Sequence, residues 1–201
     1  MQTLEELGTK ITGALSSAVR GWNVALGELT LDVDDAEILR VLAHLRDSPE
    51  CHFTVLIDIT AVDWPQRRKR FDVVYHLLSV TGNRRIRAKL QVEENVSVPS
   101  AVEIFPAAGW AERETFDMYG ITFAQHPDLR RLLTDYGFSG YPLRKDFPLT
   151  GYVELRYDEE QKRVVYQPVE LVQEFRDFDF MSPWEGARYI IPADKAKKEN
   201  P

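Results

Sequence analysis

Glu112-Arg113-Glu114 and Asp117 put three carboxylates and a guanidinium within six residues. Two carboxylates that converge on one bond can act as general acid and general base. On a helix from about Ala107 to Tyr119, at roughly 100° per residue, Arg113, Glu114 and Asp117 share one side with Trp110. Arg113 and Asp117 also have the spacing of an intrahelical ion pair. Glu112 falls in the opposite arc, beside Phe116 and Tyr119 and facing Ala111, Thr115 and Met118. A carboxylate in an apolar arc must find a partner or take up a proton. Glu112 and Asp117 point about 140° apart, a poor geometry for acting on one bond. The expected role is therefore structural: a buried ion pair with an arginine from elsewhere in the chain or from a partner. A free-standing hydrolase is the weaker alternative.

Other reactive residues are sparse. His44, His52, His76 and His126 make no i,i+4 pair of the helical zinc-protease kind. His126, before Pro127, reads as a turn or interface residue. The single cysteine, Cys51, reads as a small buried thiol. One cysteine excludes a disulfide framework, and any iron–sulfur cluster or cysteine-rich zinc site held by this chain alone. No glycine-rich nucleotide loop and no Gly-x-Ser-x-Gly turn occurs, and Gly137 and Gly140 read as turn glycines. Basic clusters stand at Arg67-Arg68-Lys69-Arg70, at Arg84-Arg85 with Arg87 and Lys89, and at Arg130-Arg131. Solvated turns are their default, with docking onto an acidic partner next. An RNA-binding module is a further alternative, but 25 basic against 32 acidic residues leave a net charge of −7. That balance argues against nucleic acid or anionic lipid as a main partner. The chain shows neither a membrane-spanning apolar run nor a signal or transit peptide pattern, so a reducing cytoplasmic location is expected.

These residues must be positioned by the elements around them. Residues 3–19 have the apolar spacing of a helix, and Gly21 ends it. Trp22 to Val33 reads as strand with a turn near Gly27. Asp34 can cap a second helix, with Glu37 at the capping-box position and Ile38, Leu39, Leu42 and Leu45 as its apolar face. Strand candidates follow at Phe53–Ala61, Phe71–Val80 and Ile86–Val92. Residues 1–125 are thus expected to form an α+β domain with helices on one face of a mostly antiparallel sheet. Residues 126–192 are rich in proline and aromatic residues but lack long periodicity, apart from a hairpin from Val153–Tyr157 and Arg163–Gln167. Such a segment cannot bury its aromatics on itself, so it is expected to extend along a partner protein. Residues 193–201 form a polar tail.

At residues 112–133 the pattern becomes specific. Glu112-Arg113-Glu114-Thr-Phe-Asp117-Met118-Tyr119, six further residues, then His126 and Arg130-Arg131-Leu132-Leu133 match a family signature. So do Leu133-Thr-Asp-Tyr-Gly-Phe138, Pro142-Leu-Arg-Lys-Asp-Phe-Pro148, Thr150-Gly-Tyr-Val-Glu154 and Phe178-Asp-Phe180 through Ser182-Pro-Trp-Glu-Gly186. In these the chain resembles the 30-kDa-type subunit family of respiratory complex I, the proton-pumping NADH–quinone oxidoreductase. The resemblance is dense over about 100 C-terminal residues and looser before them.

The resemblance implies a cofactor-free subunit of the hydrophilic arm, on the cytoplasmic face of the bacterial inner membrane or the matrix side in mitochondria. FMN and iron–sulfur clusters would lie in partner subunits. The large quinone-site subunit would be the chief neighbour, with cluster-bearing subunits nearby and membrane association only through the complex. On this reading Glu112, Arg113, Glu114 and Asp117 hold their helix through ion pairs. Arg130, Arg131, Arg144, Lys145 and Asp146 would make cross-subunit salt bridges, and Tyr136, Phe138, Phe147 and Trp184 would be buried anchors. Related subunits occur in membrane-bound hydrogenases and ferredoxin-dependent complexes. The complete Phe178-to-Gly186 ending leans towards the NADH–quinone enzyme.

Overall fold

The computed structural model describes residues 3–173. They divide into two units, one running to Gly151 and one beginning at Tyr152.

The first unit is built on a five-stranded sheet. Its strands are β1 (Val19–Ala25), β2 (Glu28–Val33), β3 (Val55–Asp63), β4 (Phe71–Ser79) and β5 (Arg84–Val92), in the spatial order β1-β2-β5-β4-β3. Every pairing is antiparallel except β2 with β5. The expected mostly antiparallel α+β fold is therefore the one found. Strand alternation defines the inner face: Leu29, Leu31 and Val33, then Phe71, Val73, Tyr75 and Leu77, then Ile86, Ala88, Leu90 and Val92 are all buried. Helices α1 (Leu4–Ala14) and α2 (Ile38–Asp47) bury Leu7 and Ile11, and Ile38, Val41, Leu42 and Leu45, into the same core. Cys51 is buried there too, and burial raises its thiol pKa. The opposite face carries cross-strand polar pairs, Arg87 with Glu28 and Thr30, and Lys89 with Asp32.

The local details differ from the periodicity in places. The first helix ends at Ala14, not residue 19; Leu15 leaves helical geometry and its carbonyl accepts from Ala18 and Val19 in a closing turn. The apolar repeat continues to Val19 because the turn keeps Leu15, Ala18 and Val19 in the core. Thr3 and Glu6 form a capping box, which the residue types permitted. The turn expected near Gly27 is found: β1 and β2 form a hairpin turning at Leu26-Gly27, both with positive φ. Asp34 does cap, accepting from Ala36, but Glu37 pairs with Arg40 and does not close a capping box.

Three elements position the ERE motif. A two-residue strand, β6 (Val98–Pro99), pairs in parallel with β7 (Phe123–Ala124). Between them α3 (Ala108–Tyr119) lies along β3, the far edge strand of the sheet. The Thr115 hydroxyl donates to the Ile59 carbonyl at 2.9 Å, so the helix covers an edge that would otherwise be open.

α3 ends at Gly120, whose φ of 76° is the left-handed C-cap conformation. A Cβ there would lie 2.6 Å from the Tyr141 ring and 2.7 Å from Arg144. Gly120→Ala is expected to cost about 3 kcal/mol, from left-handed strain plus displacement of Tyr141 and Arg144. Denaturant unfolding would measure it, and an unchanged midpoint would contradict the packing described.

The boundary expected at residue 125 is not observed. Residues 126–151 belong to the first unit. They are held there by hydrogen bonds to Asp117 and Asp63 rather than by a periodic apolar face, which is why helical or strand spacing gave no sign of it. Among the described residues, the second unit contains one hairpin, β8 (Val153–Asp158) with β9 (Arg163–Pro168), close to the predicted spans. Residues 174–201 lie outside the described residues, and with them Trp184 and the Phe178-to-Gly186 ending.

Candidate functional site

The three carboxylates of the motif have three different environments. Glu112 is 0% exposed. Its Oε1 accepts the Ala101 N–H at 2.7 Å and its Oε2 accepts the Ser100 hydroxyl at 2.7 Å. The β6–β7 pairing places both donors beneath the helix. The predicted arginine partner is absent among the described residues. His126 stands in its place, with Nε2 at 3.9 Å from Glu112. The His126 Nδ1 accepts the Asp128 N–H, so the ring proton is assigned to Nε2, facing the Gly109 carbonyl at 3.1 Å. Burial raises the Glu112 pKa, against the opposing pull of Ser100, Ala101 and His126. The Tyr75 hydroxyl is buried without a hydrogen-bond partner among the described residues, and burial together with the Glu112 charge raises its pKa as well.

A raised carboxyl pKa means that folding favours the protonated form. The associated stability is fully present below the unfolded value near 4.5 and is lost as pH rises through the folded value. Glu112→Gln, which keeps the shape and removes the charge, is therefore expected to match the native chain near pH 4.5. Its advantage should grow towards neutral pH and level off once the native carboxyl is fully ionised. Denaturant melts across pH 4.5–7.5 would test this; a variant less stable at neutral pH would mean that the charged form is the favoured one.

Asp117 is also 0% exposed, yet its environment is the reverse. Oδ2 accepts the N–H groups of Leu132, Leu133 and Thr134 at 2.9, 2.7 and 2.9 Å. Oδ1 accepts the Thr134 hydroxyl at 2.7 Å and Arg131 Nη1 at 3.0 Å. Burial alone would push this carboxyl up. The hydrogen bonds from Thr134, Leu132 and Leu133 outweigh it and bring the pKa down to about 2. The predicted Arg113–Asp117 pair is not formed: Arg113 turns to the carbonyls of Arg130 and Arg131 and lies over the Trp110 ring at 5.3 Å. Asp117 is engaged by the loop, so Arg113 is better placed fastening the same loop's carbonyls.

Glu114, the third carboxylate, is exposed and makes no hydrogen bond or ion pair with any described residue.

The residues expected to bridge subunits mostly have partners within the chain. Arg131 pairs with Asp117 and also donates to the Gly140 carbonyl at 3.0 Å. Arg130 pairs with Asp128 at the surface. Arg144 donates to the Tyr119 carbonyl and to Glu94, both at 2.6 Å, and lies between Tyr141 and Phe71. Asp146 meets Arg70 at 2.9 Å. Among the described residues, Lys145 is held through its backbone N–H, which donates to Asp63 at 2.8 Å. Phe147 packs on Phe138 at 5.9 Å between centroids, and Tyr136 is fully exposed.

Sequence reasoning missed the hub of this network. Arg70 lies in a cluster read as a solvated turn, yet its side chain is mostly buried. It donates twice to buried Asp63, at 2.7 and 2.9 Å, and also reaches Glu94 and Asp146. The Arg70 hydrogen bond, foremost, holds the Asp63 carboxyl below its usual range despite burial. Asp63 closes β3 and Arg70 immediately precedes β4, but nothing in their spacing indicates which of four basic residues turns inward.

Glu112 is sealed in the core and Asp117 is saturated with donors, so neither oxygen pair can reach a substrate. Chemically the arrangement fastens. It ties residues 126–151 to α3 and to the ends of β3 and β4, and the protein class this defines is an α+β module with a strapped-down extension. A model of the family described as "Respiratory-chain NADH dehydrogenase, 30 Kd subunit" matches residues 31–153, and the chain belongs to that family. It is 64% identical over 194 residues to the C subunit of NADH-quinone oxidoreductase from Maricaulis maris (strain MCS10), spanning 96% of this chain and 97% of that one. The equivalent protein of Xanthobacter autotrophicus (strain ATCC BAA-1158 / Py2) is 58% identical over 200 residues, covering 100% and 96%. Among solved structures, a chain of the membrane-bound sulfane sulfur reductase, an archaeal respiratory membrane complex, is similar with a TM-score of 0.63 and 26% identity. That match covers 80% of this chain and 98% of the other.

Proposed function

We propose that this chain is a cofactor-free subunit of the hydrophilic arm of NADH–quinone oxidoreductase. It would be needed for assembly and for positioning the quinone-site and cluster-bearing subunits while electrons pass from NADH to quinone and protons are translocated. FMN and the iron–sulfur clusters belong to its partners. The chain itself carries no active site and sits on the cytoplasmic face of the inner membrane, held there through the complex. No helix among the described residues is long and apolar enough to cross a membrane.

The observation that carries this reading is the β8–β9 hairpin. Val153, Leu155 and Tyr157 alternate on one face with Val164, Tyr166 and Pro168 opposite them. The first five of these are 50–63% exposed. Glu154, Arg156, Arg163 and Gln167 occupy the other face. An isolated two-stranded hairpin is at best marginally stable in water, and a wholly apolar exposed face on one marks a surface that another protein covers. High identity to subunits named for NADH–quinone oxidoreductase favours that complex over a hydrogenase or ferredoxin-dependent relative. Electron transfer through a chain of clusters needs rigidly held neighbours, and a strapped, cofactor-free module suits that task.

Gentle detergent extraction followed by identification of the co-purifying chains tests the proposal. Cluster-bearing and quinone-site subunits are the expected companions, and a chain that leaves the membrane fraction as a monomer would overturn it.

A further inference from the structure

The two fastened carboxylates of the motif leave the third without a role in the fold. Glu114 has no hydrogen bond or ion pair among the described residues, although arginines hold Asp117, Asp63, Glu94 and Asp146. It is the free carboxylate of an otherwise apolar stripe. Helical spacing puts Ala107, Trp110, Glu114 and Met118 on one side of α3, between the part that packs on β3 and the part covered by residues 131–134. Trp110 is 65% exposed, an unusual state for a side chain of that size. The strand α3 packs along also exposes Ile57 and Val62.

We propose that this stripe of α3 is a second docking surface, and that it receives a partner-subunit segment in which a basic side chain is flanked by apolar residues. The assignment of a partner subunit rests on the function proposed above. Charge complementarity decides the occupant. An apolar segment alone would bury the Glu114 carboxylate unpaired, which is costly, whereas a lysine or arginine would pair with it. Arg113 lies over the Trp110 ring, so the indole serves as an aromatic wall for the apolar residues flanking the incoming cation, while the cation itself is matched by Glu114. Tryptophan is among the residues most enriched at the energetic centre of an interface. A second copy of this chain is disfavoured, because a two-fold contact would bring two unpaired Glu114 side chains together.

The test uses the assembled complex in membranes. Glu114→Arg places like charges opposite each other, and the amount of this chain retained in the complex is expected to fall at least tenfold, with Glu114→Gln intermediate. The purified full-length Glu114→Arg chain should melt as the native chain does. A lowered melting temperature would place Glu114 in the fold and overturn the proposal, as would retention of Glu114→Arg at the native level. A photo-crosslinking phenylalanine analogue at position 110 is expected to capture a lysine- or arginine-bearing segment of another subunit. Capture of lipid, of this chain's own residues after 173, or of a second copy would overturn it. If the native chain co-purifies with the complex while Glu114→Arg binds equally well, only the docking surface fails. If the native chain does not co-purify, the functional proposal fails first.

Discussion

Asp117→Ala is expected to destabilise the isolated chain by about 4 kcal/mol, the effect of breaking a buried ion pair from one side. The carboxylate gathers five donors from the Arg131–Thr134 loop. Without it, three backbone N–H groups lose their acceptor in a half-buried position, and each unsatisfied group carries its desolvation cost. Arg131 keeps the Gly140 carbonyl, so the guanidinium is not stranded, which caps the loss. Asp117→Asn retains one acceptor oxygen for the three N–H groups and should lose less. Urea melts of the three proteins would rank them. Equal midpoints for the native chain and Asp117→Ala would show that the loop is held by something else. The pH dependence follows from the depressed pKa. The contribution of Asp117 is complete above the usual value of 3.8 and is lost as pH falls through about 2. The Asp117→Ala chain should lack that acid-side decline, amounting to about 2 kcal/mol.

The combined substitution Leu155→Asp and Tyr166→Asp should have the largest effect on assembly. The two residues are direct cross-strand partners on the apolar face of the hairpin. Burial of two such side chains contributes about 3–6 kcal/mol to an interface, and two carboxylates would have to be desolvated in their place. Retention of the chain in the complex is expected to fall by two or more powers of ten. The thermal transition of the first unit should stay where it is, because the hairpin belongs to the other unit. Quantifying this chain against the cluster-bearing subunits after detergent extraction reads the first effect, and calorimetry of the purified chain reads the second. Normal assembly of the double variant would remove the hairpin as the carrier of the docking function.

Periodicity made the sheet legible. β3, β4 and β5 alternate or run apolar over nine residues each, and a strand's inner row must be apolar to be buried. The hairpin at residues 153–168 was visible for a related reason, since polar turn residues separate two β-rich runs. Spacing overextends the first helix because Leu15 and Val19 keep a helical interval while the backbone between them turns. Spacing reports burial, and burial does not distinguish a last turn of helix from a closing turn.

Around the ERE motif the residues themselves established that Glu112 and Asp117 diverge on one helix, and that Glu112 lies in an apolar arc. Helix geometry is local, so it can be computed from residue numbers. Partners are not local. Asp117 is satisfied by residues 14–17 positions away, Glu112 by residues brought under the helix by two two-residue strands, and Asp63 by a backbone N–H 82 positions on. Such contacts are selected by the packing of whole elements, and no spacing rule encodes them. That is why Arg131, Arg144 and Asp146 looked free for other subunits, and why the turn residue Arg70 proved to be the inner hub. The amino-acid sequence by itself determined the strands, the helix faces and the family. Tertiary structure alone decided which charges hold the chain together and which, like Glu114, have no partner among the described residues, because a buried charge pairs with whatever the fold brings within about 3 Å of it.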